Sequence, residues 1–526
     1  MDYIILSVVL LAVGIYGLLT KRHLVKVLIS IEIIAVAASM NFVLLASSLN
    51  RTLGEAFLIL AFSTDTCVTA IVLALLVIVV KKYGTCDIRK LAEIEQSVDK
   101  EQTKLRLSSE RFFEVAKYWV LPLILGSIIG LAIFLLVYIY KLLNYASFII
   151  VNWNSSFLLA STIVALLGGY LTIRLWAENK ECGCGTELVI ERYHFKNGIV
   201  SLRDTISRTL ASAITIGFGG SAGLEGPSLL LGGGISSFIA RRLKLDQKDV
   251  KTLFLCGAAA GFSAIFKAPL TGILFALEIP YKRDVETEVF IPASIASVTA
   301  YFTSAITLGT ETIFPTPTFI IPTLSTLMHA IFLGILAALV ALAFMETLQR
   351  TNSISKRLAS RLPMWLMTIF AGLILGVIGL LYPEALGLGY DFIHKIAMTE
   401  LGELTLTNLT ALLILKIVAT SVTLNFGGNG GLFIPSLYVG GALGLIYAQT
   451  LNLETPVLYV ILSMAAVLAA TSKSLLTSIT LVAETMGPSF IVPTVISAVV
   501  SYFLTGSRSL YKSQLVNKLQ ARHVQC

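Results

Sequence analysis

A carboxylate, Glu225, stands in the middle of a glycine-rich break, Gly219-Gly220-Ser221-Ala222-Gly223-Leu224-Glu225-Gly226-Pro227, that runs straight into an apolar segment. Such a break ends one helix and begins another. Pro227 suits the first turn of the new helix, where its missing N–H costs nothing. The free N–H groups of that turn and its charge of about +0.5 make a site for an anion. The construction recurs at Gly427 to Pro435, which closes on Leu432-Phe433-Ile434-Pro435. Two helix starts aimed at one point concentrate positive potential without Lys or Arg, which suits an anion that must bind and also leave. Glu225 can fill the anion site itself, or withdraw by protonation or rotation to open it. Its bland reading is a helix cap. A charge inside an apolar segment costs about 2.5–3.5 kcal/mol, so the default reading is functional.

No other cluster suggests chemistry. The five histidines (His23, His194, His329, His394, His523) are scattered, and Cys182-Gly183-Cys184 has no second Cys/His pair at metal-ligand spacing. No metal or cofactor is expected, and no enzyme active site. Gly232-Gly233-Gly234-Ile235-Ser236 starts no strand–helix phosphate loop and reads as helix packing.

The elements that hold these residues are membrane spans. Of 526 residues 56% are hydrophobic and 13% charged, against about 25% charged in soluble domains. Mean hydropathy is +0.85. This excludes a soluble enzyme, a disordered chain and a secreted disulfide scaffold, and predicts an all-α polytopic membrane protein in a lipid bilayer. The net charge of +8 needs no nucleic-acid partner, because basic residues gather beside spans on the cytoplasmic side. No cleavable signal peptide is evident: the first apolar run ends in Lys21-Arg22-His23.

Three apolar runs, Tyr3 to Thr20, Leu24 to Leu45 and Ala56 to Val80, are each long enough to cross a bilayer. Residues 1–80 are therefore read as a three-helix membrane module. Lys21, Arg22, Lys26, Lys81 and Lys82 place its N-terminus outside and the following linker, 81–115, in the cytoplasm. That linker is charge-dense, and Ile88, Leu91, Ile94, Val98 and Leu105 recur at helical spacing, as in an amphipathic cytoplasmic helix; a solvated tether is the alternative. Residues 116–526 form the main domain. Its short interrupted segments are a mark of discontinuous helices around a polar cavity.

An internal repeat runs through this domain. Gly219 to Ile235 and Gly427 to Leu443 share nine of seventeen residues, and Lys267 to Glu278 and Lys473 to Glu484 share five of twelve. The offsets, 208 and 206, are nearly equal, so two homologous halves are expected, about 116–320 and 321–505, followed by a C-terminal helix. Sequence alone leaves open whether they are inverted.

From about residue 116 onward the chain resembles the CLC chloride channels and chloride/proton antiporters. The resemblance rests on GLEGP (223–227), GAAAGFSAIFKAPLTGILFALE (257–278), GGLFIP (430–435) and Tyr511 in GSRSLYKSQL. It implies inverted repeats, a homodimer with one pore per subunit, and transport of chloride or a similar small anion across a cytoplasmic membrane, with the C-terminus cytoplasmic. Glu225 resembles the external gating glutamate. Gly223, Leu224 and Gly226 flank it, and Leu432, Phe433 and Ile434 match the backbone-amide contact to the central anion. Tyr511 resembles the inner-gate hydroxyl.

The chain departs from the family pattern at three places. Cys184-Gly185 stands where chloride-selective members have serine-glycine, followed by Glu187. Leu224 replaces the usual arginine. Ile279 stands where antiporters carry an inward-facing proton glutamate, just after the residue matching Glu278; apolar residues occupy this position in channels. Ordinary exchange along that path is disfavoured and channel-like or uncoupled flux favoured. Antiport with protons supplied by water or the N-terminal module is the alternative.

The first 95 residues or so resemble the K-type subunit of respiratory complex I and the C-type subunit of Mrp sodium/proton antiporters, through Glu32 in LISIEIIAVAAS and the run TAIVLALL. The resemblance implies a membrane glutamate on a proton path at Glu32; Asp65 in the third run and Glu278 in the main domain are further candidates. Three readings stay open for the module: an assembly appendage, a proton or cation path coupled to the anion pore, or a docking element for an Mrp- or complex-I-like assembly.

Overall fold

Apolar runs interrupted by glycine give helices that break and restart, and this is the architecture found. The structure, a computed structural model, describes residues 2–20, much of 26–40, 87, 90, 116–309, 314, 323–397 and 405–520. The chain divides into two compact units, 1–113 and 114–526.

In the first unit α1 spans Asp2–Thr20, and the described residues between 26 and 40 are helical apart from the positions left out. The two helical stretches approach closely where α1 lacks side chains. A Cβ on Gly14 would stand 2.6 Å from Ile34 Cγ1, and one on Gly17 2.3 Å from Ser30 Oγ. Small residues three or four apart allow such backbone approach between membrane helices. Glu32 is half-buried on this second stretch. Asp65, the third apolar run and nearly all of the charged linker lie outside the described residues.

The second unit runs through α2 (Leu121–Trp153), α3 (Phe157–Trp176), α4 (Gly185–Phe195), α5 (Leu202–Gly217), α6 (Glu225–Arg242), α7 (Gln247–Phe266), α8 (Pro269–Glu278) and α9 (Phe290–Leu308). It continues through α10 (Leu324–Ala359), α11 (Met364–Leu381), α12 (Tyr390–Ala397), α13 (Leu406–Asn425), α14 (Phe433–Thr450), α15 (Pro456–Ser472), α16 (Leu475–Thr485) and α17 (Ile491–Leu504). Among the described residues, seven helical stretches are long and apolar enough to cross a membrane. Local chemistry sets the starts: Ser201 and Thr405 cap α5 and α13, and Thr323 with Thr326 makes a capping box on α10. Pro269 and Pro456 stand in first turns.

The repeat is visible in the backbone itself. Gly219 and Gly427 turn the chain at φ +101° and +99°, and Lys267 and Lys473 end α7 and α15 at +54° and +58°. These pairs carry the sequence offsets of 208 and 206. Between the repeats, Gly223 pairs antiparallel with Gly431, its own counterpart. A residue that pairs antiparallel with its equivalent lies on a local two-fold axis. Helices α6 and α14 therefore start from the same junction in opposing senses, which makes the repeats inverted.

Glycines let the helix pairs of each repeat cross closely. A Cβ on Gly232 of α6 would stand 2.0 Å from the Gly257 carbonyl of α7, and one on Gly444 of α14 would stand 2.2 Å from the Tyr459 carbonyl of α15. Both obstacles are backbone, so neither moves cheaply, and the glycine run 232–234 serves as helix packing. Gly232→Ala is expected to cost about 3 kcal/mol, at the upper end for overpacking. The check is a thermal melt of the detergent-solubilised protein, in which an unchanged midpoint would show that the crossing is not this tight.

Candidate functional site

Three helix starts meet at one point. The residues just before α4, α6 and α14 are stitched together by backbone bonds. Gly185 N donates to Gly430 O at 3.0 Å, Gly430 N to Gly183 O at 3.4 Å, Gly223 N to Gly431 O at 3.0 Å and Gly431 N to Gly223 O at 2.8 Å. Side chains brace the same loops with two-fold correspondence. Asn429 N donates to Thr215 Oγ1 at 3.2 Å, and Ser221 N donates to Thr423 Oγ1 at 3.0 Å. The first-turn N–H groups of three helices thus face one another inside the protein, a focus of positive potential built from backbone alone.

Glu225 is fully buried at this focus. Its Oε1 accepts from the Phe433 amide at 2.6 Å, while Oε2 is buried with no hydrogen-bond partner. The carboxylate fits because two glycines flank it. A Cβ on Gly223 would lie 1.8 Å from Oε2, and one on Gly431 2.0 Å from Oε1. Leu224, Leu432 and Ile434 are buried beside it, and Gly226 is packed against Gly430 and Gly431. The Phe433 ring sits among Phe262, Phe266 and Phe275, with centroids at 5.1, 5.1 and 5.3 Å. These three rings lie in a motif that the sequence singles out without giving them a role. They wall one side of the junction with apolar surface and fix the start of α14.

On another side stands Tyr511, buried with its hydroxyl unpartnered. Its segment is fastened to the end of α15: Leu510 N donates to Thr471 O at 2.9 Å and Tyr511 N to Ser509 Oγ at 3.1 Å. The hydroxyl interacts electrostatically with Cys184 and Glu225. Cys184 carries a free thiol, a weaker donor than a hydroxyl. Cys184, Gly185, Gly223, Leu224, Glu225, Gly226, Leu432, Phe433, Ile434 and Tyr511 are therefore brought to one place.

Glu278 is elsewhere and fully engaged. Its Oε1 accepts from Leu476 N at 2.9 Å, and its Oε2 from Thr477 N at 2.8 Å and Thr477 Oγ1 at 2.7 Å, at the start of α16. Glu484 does the same for α8, accepting from Leu270 N, Thr271 N and Thr271 Oγ1 at 2.8, 2.7 and 2.6 Å. The next residue, Ile279, is completely buried. Among the described residues no group of three or more His, Cys, Asp or Glu could hold a metal ion.

Residues 161–506 match the family model for voltage gated chloride channels, and residues 2–96 match the model for NADH-ubiquinone/plastoquinone oxidoreductase chain 4L. An uncharacterized protein of Methanocaldococcus jannaschii is 30% identical over 334 residues, 63% of this chain and 81% of that one. A chloride/fluoride channel protein of Pseudomonas syringae pv. tomato is 26% identical over 347 residues, 64% of this chain and 74% of the other. Among solved structures, a CLC-type fluoride/proton antiporter superposes with a TM-score of 0.68 at 24% identity, covering 77% of this chain and 99% of that one. A slow cyanobacterial Cl-/H+ antiporter gives 0.66 at 21% identity, covering 78% and 98%. The two structural likenesses establish the fold. Three helix starts closing on a buried glutamate inside a matched region of more than half the chain make this protein a multi-pass membrane member of the voltage gated chloride channel family, whose members are anion channels and transporters and not enzymes.

Proposed function

We propose that this chain moves chloride or a similarly small anion through the three-helix junction, with Glu225 as the gate. The observation that carries the reading is the bond from the Phe433 amide to Glu225 Oε1 at 2.6 Å. The chain's own carboxylate occupies the donors that a free anion would use. When Glu225 withdraws, the amides of Phe433 and Ile434 receive the anion, with the first-turn groups around Cys184-Gly185 and Gly223 to Gly226 on its path. Tyr511 is read as the hydroxyl at the inner end. Buried Ile279 carries no proton, so position 279 gives no proton route, and flux is channel-like or uncoupled unless another group replaces it. Coupling to protons would need another carboxylate on the inner side.

In this reading residues 1–80 are a membrane module, 81–115 a cytoplasmic linker and 116–526 the transport domain. The protein is a homodimer in the cytoplasmic membrane, with the N-terminus outside and the linker and C-terminus inside. The N-terminal module serves assembly, and Glu32 and Asp65 are its candidate proton or cation groups.

The test is chloride efflux from liposomes containing the full chain, with valinomycin, across a range of pH. Glu225→Ala is expected to raise efflux and to remove its pH dependence, because the carboxylate no longer competes with the anion. A pH profile identical to that of the unaltered protein would sink the gate assignment.

A further inference from the structure

Among the polar atoms buried in and beside the junction without a hydrogen-bond partner are four: Glu225 Oε2, Tyr511 Oη, Thr186 Oγ1 and Glu187 Oε2. A buried polar atom left unpaired costs about 1–3 kcal/mol. Four of them around one region mark a place shaped for an occupant that bonds to oxygen, such as water or an anion. Two of the four belong to carboxylates. Beside them stand two hydroxyls, those of Thr186 and Tyr511, and the Tyr511 hydroxyl acts electrostatically on both carboxylates.

Glu187 lies in the first turn of α4 and is only partly buried. Its other oxygen, Oε1, is fixed: Ser513 N donates to it at 2.8 Å and Ser513 Oγ at 2.7 Å. The adjacent Gln514 donates through Nε2 to Ile279 O, Tyr281 O and Ser472 O, each at 3.1 Å. Neighbouring residues of one strand of chain therefore hold the Glu187 carboxylate and the Ile279 backbone. The carboxylate absent at position 279 has a substitute anchored to the residue beside the one that fastens Ile279. The charged and titratable groups acting on Glu187 are Lys512 on the C-terminal segment and Lys282 in the turn beyond α8, together with Tyr511 and Cys184. Both charged groups are cations, which favour the ionised carboxylate, while its burial opposes that charge.

We propose that Glu187 is the inner proton-carrying carboxylate of this pathway, exchanging with solvent on one side and with Glu225 on the other by way of water held at the Thr186 and Tyr511 hydroxyls. A proton that reaches the partly exposed Glu187 settles on Oε2, the oxygen that Ser513 leaves free. It passes along the water and hydroxyl oxygens and ends on Glu225 Oε2, and the neutral carboxyl releases the Phe433 amide. Only O–H bonds are made and broken. The inference rests on the reading of Glu225 as the gate, and it supplies the second carboxylate that proton-coupled exchange requires.

The experiment uses the full chain in liposomes with an outward chloride gradient, following chloride and external pH together. The unaltered protein is expected to move protons uphill. Glu187→Gln keeps an oxygen for Ser513 and is expected to lose at least about a hundredfold of that proton movement, the lower end for removing a positioned proton-transfer group. Its chloride efflux should persist. Glu187→Asp, which still titrates, should retain proton movement and covers the case in which the glutamine variant does not reconstitute. No uphill proton movement by the unaltered protein overturns the proposal, as does full proton movement by Glu187→Gln. Failure of the gate reading looks different: Glu225→Gln would then leave both chloride flux and its pH profile unchanged.

Discussion

Gly223→Ala is expected to open the pathway without altering the gate residue. The added Cβ would stand 1.8, 2.5 and 2.6 Å from Oε2, Cδ and Oε1 of Glu225, all atoms at the far end of a flexible side chain. Gly223 is not among the glycines with positive φ, so alanine takes the same backbone and the carboxylate is what moves. Displacing it breaks the bond to the Phe433 amide, and a hydrogen bond to a charged group is worth about 1.5–3 kcal/mol. The open population should therefore rise by about ten- to a hundredfold. Chloride efflux at neutral pH should approach that of Glu225→Ala, while the melting temperature falls by a few degrees at most. The double variant should be no faster than Glu225→Ala alone, because both changes act on one carboxylate. Gly431→Ala would meet Oε1 at 2.0 Å but also the Gly226 backbone nitrogen at 2.8 Å, so the same opening would come with lost stability. Unchanged efflux from a stable Gly223→Ala protein would show that the carboxylate does not block the anion.

The junction was legible in the sequence because its causes are local. Glycine at 219 and 427 is needed where φ is positive, proline at 227 and 435 suits a helix start, and the repeat doubles every such signal. The inversion was not legible, since it follows from how Gly223 and Gly431 pair across 208 residues. The third helix start, at Cys184-Gly185, came from family resemblance, since one short motif without a repeat partner carries little weight alone. Glu278 shows the opposite difficulty. A lone carboxylate at the end of an apolar helix looks like a proton group, and its partners, Leu476 and Thr477, are nearly 200 residues away. For the same reason the bond from Ser513 to Glu187 had no signal in the local sequence. The rings of Phe262, Phe266 and Phe275 could have been found from their spacing with Phe433 only once α7, α8 and α14 were known to meet.

The reciprocal caps at Glu278 and Glu484 lead to the second large effect, which falls on stability and not on transport. Each carboxylate accepts two backbone N–H bonds and one threonine hydroxyl at the start of the other repeat's short helix. Helices α8 and α16 have ten and eleven residues, too few to stand without such support. Glu278→Ala leaves three donors without their acceptor, and the expected loss is about 3–5 kcal/mol, the range for breaking a buried charged network. Glutamine should rescue poorly. One of its two positions becomes an amide nitrogen, which meets either the Leu476 N–H or the Thr477 pair as donor against donor. Thr477→Val removes only the hydroxyl and should cost about 1 kcal/mol. Glu484→Ala should match Glu278→Ala, since the two-fold relation gives both carboxylates the same set of partners. Thermal melts of the four variants order these losses. Proton and chloride fluxes, measured on whatever fraction of Glu278→Gln reconstitutes, separate the cap from a proton path. A cap predicts fewer active molecules with an unaltered ratio of protons to chloride. An altered ratio in a protein of undiminished stability would return Glu278 to the proton route.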